Sequence, residues 1–442
     1  MKMVKSLLLG TAAGLVAVAG AQAADMPVKA APVLFVKICS LYGDGYYYIP
    51  GTATCIKIGG YLRLQTEAHS GSSGIAWGSG NVTGMARFNR VDTNDINYTL
   101  RGLITLDVRD QTEYGTLRSY IRAGWDARAP DRTEAGTSPC NNSTANNCLA
   151  YWDRAFIQWA GFTVGKAQSF FDLFTQGGAY SYLNTRTSGD TGAGGELVWA
   201  YTAQFGGGLS ATFSAEDPNG HNKANTVNTS VAGFFTSGSN GVSIASSNGL
   251  ANMGGAINGL NNGFRVPDLV FNARVDQAWG FFGVSAALHD ISANYYSVGP
   301  DNCAIAQCVN NGHPADQYGY AFAVGGLLNL PNNDIIGANF VWARGAIGYV
   351  QDMNNYDIFD NSNRRSIAWG VDGIFTNGGE IERTEGWSIN AAYQHFWNPK
   401  WRTSFWAGYA AISYNGTATA LINQGFGAGN ICNPTVFNSP GA

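Results

Sequence analysis

The sequence predicts an all-β chain, a transmembrane antiparallel β-barrel with long loops on one rim. Three observations carry this expectation. Segments of about ten residues alternate apolar and polar side chains, which puts all of one kind on one face of a strand. Gly (58) and aromatic residues (13%) are abundant, while only 13% of the 442 residues are charged, about half the usual share. The connections alternate short and long, the rhythm of a meander whose two rims differ. A mean hydropathy of −0.10 and a formal net charge of −4 exclude both a helical membrane protein and a disordered chain. Lys+Arg (26) fall short of Asp+Glu (30), so no nucleic-acid partner is expected.

Residues 1–23 read as a cleaved export signal. Lys2 and Lys5 precede an apolar run from Leu7 to Ala19, and Ala21-Gln22-Ala23 supplies the small residues before the cut. No later stretch approaches the roughly 18 apolar residues of a helical span. Residues 24–54 form an N-terminal segment of the mature chain, and the barrel is expected over 55–442.

In 55–67, Ile56, Ile58, Leu62 and Leu64 oppose Lys57, Tyr61, Arg63, Gln65 and Glu67. Over 96–109, Leu100, Ile104, Leu106 and Val108 oppose Arg101, Thr105, Asp107 and Arg109. The next run sets Leu117, Ile121, Ala123 and Trp125 against Arg118, Tyr120, Arg122 and Asp126. Further strands read as Leu197, Trp199 and Tyr201 against Val198, Ala200 and Thr202, then Leu209, Phe213 and Ala215 against Ser210, Thr212 and Ser214. Near 281–290, Phe282, Val284 and Leu288 oppose Gly283, Ser285 and His289. About thirteen strands are counted, each long enough for a tilted bilayer crossing. Short connections fall at 110–115, 205–208, 279–280, 331–334 and 398–401; long ones fall near 68–95, 127–152, 173–195, 217–266, 296–317 and 351–385. Trp125, Trp159, Trp279, Tyr295-Tyr296 and Phe396-Trp397 stand at strand ends, where interfacial girdles belong. A soluble β-sandwich shows the same alternation, but it would not place its long polar loops on one side only.

Seven cysteines in an exported chain point to disulfides before metals. The pairs close in sequence are Cys39 with Cys55, Cys140 with Cys148, and Cys303 with Cys308. Cys432 is left without an obvious partner. Two-residue Cys spacings with His nearby, which zinc would need, do not occur.

Val36-Lys37-Ile38-Cys39-Ser40-Leu41-Tyr42-Gly43 and Cys55-Ile56-Lys57-Ile58-Gly59-Gly60-Tyr61 resemble the start of alphaproteobacterial porins of the Brucella and rhizobial type. Phe162-Thr163-Val164-Gly165-Lys166 with Ser169-Phe170-Phe171-Asp172 is similar to that family's strand leading into the third external loop. Trp387-Ser388-Ile389-Asn390 through His395, with Trp397-Asn398-Pro399-Lys400-Trp401, is similar to its late hairpin. The resemblance implies a sixteen-stranded barrel, a homotrimer, and a third loop folded into the lumen.

On this reading the pore chemistry falls to Arg63, Arg101, Arg118 and Arg122, all on the polar parity of three neighbouring early strands. A charge facing lipid costs a few kcal/mol at the midplane, so these four are expected to form a basic wall in water. Asp172, Asp190 and Glu196 belong to the candidate constriction loop and its flanks, setting a transverse field that selects by size and charge. Lys166 shares its parity with Phe162 and Val164, so its side is ambiguous.

The function expected is passive diffusion of small hydrophilic solutes and ions through an outer-membrane porin in contact with lipid and lipopolysaccharide, without cofactor or enzymatic chemistry. His69, His221, His289, His313 and His395 accompany no convincing nucleophile motif, and Gly192-Ala193-Gly194-Gly195 lacks the Lys-Ser/Thr of a phosphate loop. A substrate-specific channel (with Phe174, Tyr180 and Tyr182 as an aromatic track) and an adhesin (for the long loop at 217–266) are the alternatives. Residues 415–442 read as loop, without the terminal aromatic strand that the resemblance implies, and a C-terminally incomplete barrel is expected.

Overall fold

The computed structural model describes residues 37–68, 96–129, 150–173, 195–218, 226–229, 236–238, 241–243, 265–293, 295–296, 311–350, 358–360, 367–369 and 371–425. The signal segment, the cysteines at 140, 148, 303, 308 and 432, and Asp190 lie outside the described residues. The chain forms two units, Met1–Cys55 and Ile56–Ala442.

In the first unit a disulfide joins Cys39 to Cys55, 16 residues apart in sequence. A short turn over Ser40–Tyr42 reverses the chain inside this loop, and the Cys39 N–H donates to the Tyr46 carbonyl at 2.9 Å. Tyr46 packs edge-on against Tyr42 and is buried with the two sulfurs. So small a segment has little apolar core, and the crosslink supplies order by restricting the unfolded chain.

Among the described residues of the second unit, thirteen strands follow one another in the sheet in chain order. They are β1 (Cys55–Ala68), β2 (Ile96–Thr112), β3 (Gly115–Ala129), β4 (Ala150–Trp159), β5 (Phe162–Ala167), β6 (Glu196–Gly206) and β7 (Leu209–Glu216). After these come β8 (Asp268–Gln277), β9 (Gly280–Ile291), β10 (Gln317–Asn329), β11 (Ile335–Arg344), β12 (Glu385–Asn398) and β13 (Trp401–Ser413). From β2 to β13 every ladder is antiparallel. The turns between β2 and β3, β4 and β5, and β12 and β13 each take two residues. Ala160 and Gly161 both have positive φ, 49° and 89°, the geometry that fits the twist of a two-residue hairpin.

The two faces are inverted relative to a soluble protein. Leu62 (75%), Trp199 (71%), Phe405 and Phe213 are exposed, while Asn272, Ser285, Asn339, Ser388, Asn390 and Gln394 on the opposite parity are buried. An apolar face continuous over this many strands far exceeds what water tolerates on a monomer; its natural solvent is lipid. No described helix is long and apolar enough to cross a membrane.

Close strand approach needs glycine at one point in particular. Gly60 has φ 150°, and a Cβ there would lie 2.1 Å from the Leu103 carbonyl oxygen.

Along β8–β11 the inner face carries an apolar patch that is covered. Val270, Ala321, Val341 and Ala343 are buried beneath Phe171 and Leu173, from the segment after β5, and Tyr349, from the turn after β11. Phe171 meets Tyr349 edge-on at 4.5 Å. Beside them, Gly373–Phe375 pairs in parallel with Thr226–Asn228 and antiparallel with Glu382–Arg383. A fully buried polar cluster pins these segments to the wall. His289 Nδ1 lies 2.7 Å from Asp268 Oδ1 and its Nε2 lies 3.5 Å from Asp372 Oδ2. The Tyr349 hydroxyl donates to Asp268 at 2.7 Å, and the Ile347 N–H donates to Asp372 at 2.7 Å. Burial pushes the Asp372 carboxyl up against the pull of His289. Burial, then the nearby Asp268, Glu216 and Glu196, pushes the Tyr349 phenol well up, so it remains a donor.

At the opposite rim Asp334 ends the turn before β11. Enclosure alone would raise its carboxyl, but His395, Tyr393, the Phe396 N–H and Asn332 together hold it below the usual range. These contacts run from 2.5 to 3.0 Å.

The chain end corrects one expectation. Residues 415–442 read as loop, yet Gly416–Gly425 is an α-helix. Asn415 caps it, its Oδ1 accepting from the Ala418 N–H at 2.7 Å, the role Asn fills at a helix start. The Thr-Ala-Thr-Ala-Leu-Ile run that follows tolerates helix once nucleated.

Three outcomes are expected, each read from the temperature at which the folded band converts to the unfolded band in a heat-modifiability gel. Gly60→Val should abolish the folded band, because the new side chain meets backbone. His289→Leu should lower the conversion temperature strongly, since removing one partner from a buried charged cluster costs about 3–5 kcal/mol; an unchanged temperature would show the cluster to be idle. Asp334→Asn should lower it near neutral pH. A depressed carboxyl stabilises above its unfolded value of about 3.9 and loses that contribution as pH falls through the folded value. The wild-type advantage must therefore shrink only in strong acid.

Candidate functional site

The inner face of β1–β4 is polar and still reaches water, in contrast to the covered inner face of β8–β11. Alternation decides which side chains line it. Leu62 (75%) and Leu64 (70%) are exposed on the outer face, so Arg63 between them faces inward, half-buried, with its Nε enclosed. Arg101, Arg118 and Arg122 are likewise half-buried on the inward parity. Register then aligns them across strands: Arg109 faces Arg118 and Thr105 faces Arg122 between β2 and β3. Between β3 and β4, Gln158 faces Arg118 and Arg154 faces Arg122. Four residues separate Arg118 from Arg122, about 13 Å along a strand, so the wall has two levels.

At the first level one carboxylate serves two guanidiniums. Asp107 accepts from Nε and Nη2 of Arg109, both at 3.0 Å, and from Nε and Nη2 of Arg118 at 3.0 and 2.9 Å. Without Asp107 two like charges would stand directly opposite, which destabilises a ladder. Arg118 Nη1 donates to Gln158 Oε1 at 3.0 Å, and its guanidinium lies over the Tyr120 and Phe156 rings, 4.9 and 5.5 Å from their centroids.

At the second level the ladder shifts between Arg122 and Ala123. Asp153 is thus the extra residue of a bulge, and it and Arg154 both serve the inner face, as bulges re-aim side chains. The Asp153 carboxylate is 1% exposed; Arg122 Nε lies 2.5 Å from Oδ2 and Arg154 Nη1 lies 4.0 Å from Oδ1. Arg101 and Lys166 also act on it electrostatically. Lys166 pairs opposite Leu197, a lipid-facing position, yet its charge is felt inside.

The acids gather elsewhere. Asp172 and Glu196 are buried, Glu196 as the first residue of β6, where Glu216 on β7 acts on its carboxyl electrostatically. Glu216 also accepts from Ser169 Oγ at 2.6 Å, Ser214 Oγ at 2.5 Å and the Phe170 N–H at 3.0 Å. Glu216 thereby clamps the root of the segment leaving β5. No group of metal-holding side chains occurs among the described residues.

Sequence reading missed Asp107, Asp153, Arg154 and Glu216 as members of the site. The break in alternation at Trp152-Asp153-Arg154 was the available signal for the bulge. Glu216 carried none, because its partners come from a segment 46 residues away.

Comparison with known proteins bears on what this wall belongs to. Porin Omp2b of Brucella suis is 33% identical over 218 residues, 48% of this chain and 54% of that protein. An outer membrane protein of Sinorhizobium fredii is 33% identical over 181 residues, 40% of this chain and 47% of its own length. The chain thus spans about half the length of these relatives. The crystal structure of the outer membrane channel DcaP of Acinetobacter baumannii shares the fold, with a TM-score of 0.51 at 12% identity, covering 85% of this chain and 84% of that one. The family model for the porin subfamily, Porin_2, matches residues 25–439, and the chain belongs to that family.

Proposed function

We propose that the chain forms a passive, water-filled channel of the outer membrane, through which small hydrophilic solutes and ions diffuse down their gradients. The observation that carries this reading is the inverted sheet: an apolar exposed face and, over β2–β4, a charged inner face open to water. No soluble arrangement rewards that pattern. The export signal at residues 1–23 would deliver the chain, and lipid and lipopolysaccharide would meet its outer face. Family resemblance supports a homotrimer built on the sixteen-stranded plan, of which this chain supplies about thirteen strands. An infolded third loop is supported by Phe171 and Leu173 lying on the inner side of β8–β11.

Within this channel Arg63, Arg101, Arg118 and Arg122 act as the basic wall. Asp172, Asp190 and Glu196 act as the acidic side of the constriction, and Glu216 holds the root of its loop. Opposed charges across a narrow point orient polar solutes and penalise apolar ones.

Planar bilayers carrying the refolded full chain test the proposal. Discrete conductance steps are expected, and their absence from folded protein would remove the channel reading. Arg118→Ser with Arg122→Ser should move the reversal potential in a salt gradient toward cations. Asp190→Asn should move it toward anions. An unmoved potential in the arginine pair would take these residues out of the constriction.

A further inference from the structure

The predicted basic wall contains guanidiniums of two kinds. Arg118 is engaged at every nitrogen: Nε and Nη2 are held by Asp107 at 3.0 and 2.9 Å, Nη1 by Gln158 at 3.0 Å, and its face lies over Tyr120 and Phe156. Three of its five N–H groups are committed, one on each nitrogen, so no unengaged pair of nitrogens faces a passing solute. Such an arginine is a strut between β2, β3 and β4.

Arg122 is gripped at one end only. Its Nε is enclosed and forms an ion pair with the bulge carboxylate of Asp153 at 2.5 Å without hydrogen-bond geometry, and its side chain is as exposed (28%) as that of Arg118 (27%). Nη1 and Nη2 make no hydrogen bond among the described residues. A guanidinium held by an ion pair on its Nε side and open along its Nη1–Nη2 edge presents two parallel donors, the spacing of two oxygens on a carboxylate or phosphate. The surroundings have the matching sign. Arg122, Arg154, Arg101 and Lys166 all act electrostatically on the carboxylate of Asp153, and Arg154 stands directly opposite Arg122 in the ladder. Asp153 is also 1% exposed, which places its charge behind Arg122 rather than in the path of a solute. The bulge makes this possible: regular alternation would have turned either Asp153 or Arg154 to the outer face.

We propose that Arg122 is the oxyanion-coordinating point of the lumen, a two-donor contact at which solutes bearing a carboxylate or phosphate pause, with Asp153 as the residue that positions it. The proposal rests on the channel reading and refines it. Chloride and other spherical anions feel only the field of the wall, whereas planar or tetrahedral oxyanions gain the fork. A water-exposed contact of this kind stays weak, as conduction demands, because a solute bound tightly would not leave.

The experiment uses single channels of the full chain in planar bilayers at constant potassium chloride, with inorganic phosphate titrated into one chamber. In the wild type, phosphate should depress the chloride current with a saturable midpoint. Arg122→Lys keeps the charge and loses the fork, so the midpoint should rise about tenfold while chloride-over-potassium selectivity holds. Arg118→Lys should shift the midpoint less than about twofold. Asp153→Asn adds net positive charge, so a wall acting by field alone would strengthen the phosphate effect; loss of the positioning group should weaken it instead. A wild-type current indifferent to phosphate, an Arg122→Lys channel matching wild type, equal shifts in the two lysine variants, or a tighter midpoint in Asp153→Asn would each overturn the proposal. Should Asp153→Asn fail to fold, the two lysine variants decide. Absence of any conductance from folded wild type would instead strike at the channel reading, a separate result.

Discussion

Backbone amides facing an apolar solvent have no water to pair with, and each unpaired group costs several kcal/mol. Strands meet this constraint only by pairing with neighbours, and the rest of the molecule follows from it. The ladder from β2 to β13 runs antiparallel between chain neighbours, and once the register is set the side chains have no freedom of side. Leu62 and Leu64 go to the lipid and Arg63 goes inward because a period of two allows nothing else. A one-residue slip would carry every inward arginine into lipid, so the charges that serve the lumen also enforce the register.

One of the places where the ladder departs from that period is Asp153, and the departure has a chemical consequence. A buried carboxylate is tolerable only when cations surround it, and here Arg122 and Arg154 do so. At the neighbouring level Asp107 plays a similar part between Arg109 and Arg118, but there the partners consume one another. Two levels on the same three strands thus reach different outcomes from the same residue types. The difference lies in how many donors each carboxylate and its neighbours use up.

The other half of the sheet solves a different problem. On β10 both parities are apolar, with Phe322 and Val324 outward and Ala321 and Ala323 inward. An inward apolar surface must be covered, and the segments after β5 and β11 cover it, locked by His289, Asp268 and Asp372. Water is left to the arginine side. The asymmetry of the lumen is therefore a packing result, and the polar cluster gives it a unique geometry.

Strand identity, the sidedness of Arg63, Arg101, Arg118 and Arg122, and the Cys39–Cys55 link were legible in the amino-acid order, because alternation and short-range spacing are local properties. The helix at Gly416–Gly425 was missed although Asn415 was in plain view as its cap, since Gly and Thr around it weigh toward loop. Inward apolar residues such as Ala321 and Val341 signalled a cover without naming it. What the sequence by itself determined was which face each strand residue takes, since the pleat leaves two choices and lipid refuses one of them. Which guanidinium is engaged at every nitrogen and which stays open was decided only by the tertiary structure. Hydrogen-bond partners such as Gln158 for Arg118, or Ser169 for Glu216, are brought together by register and loop return over 40 and 47 residues, distances at which no local pattern survives.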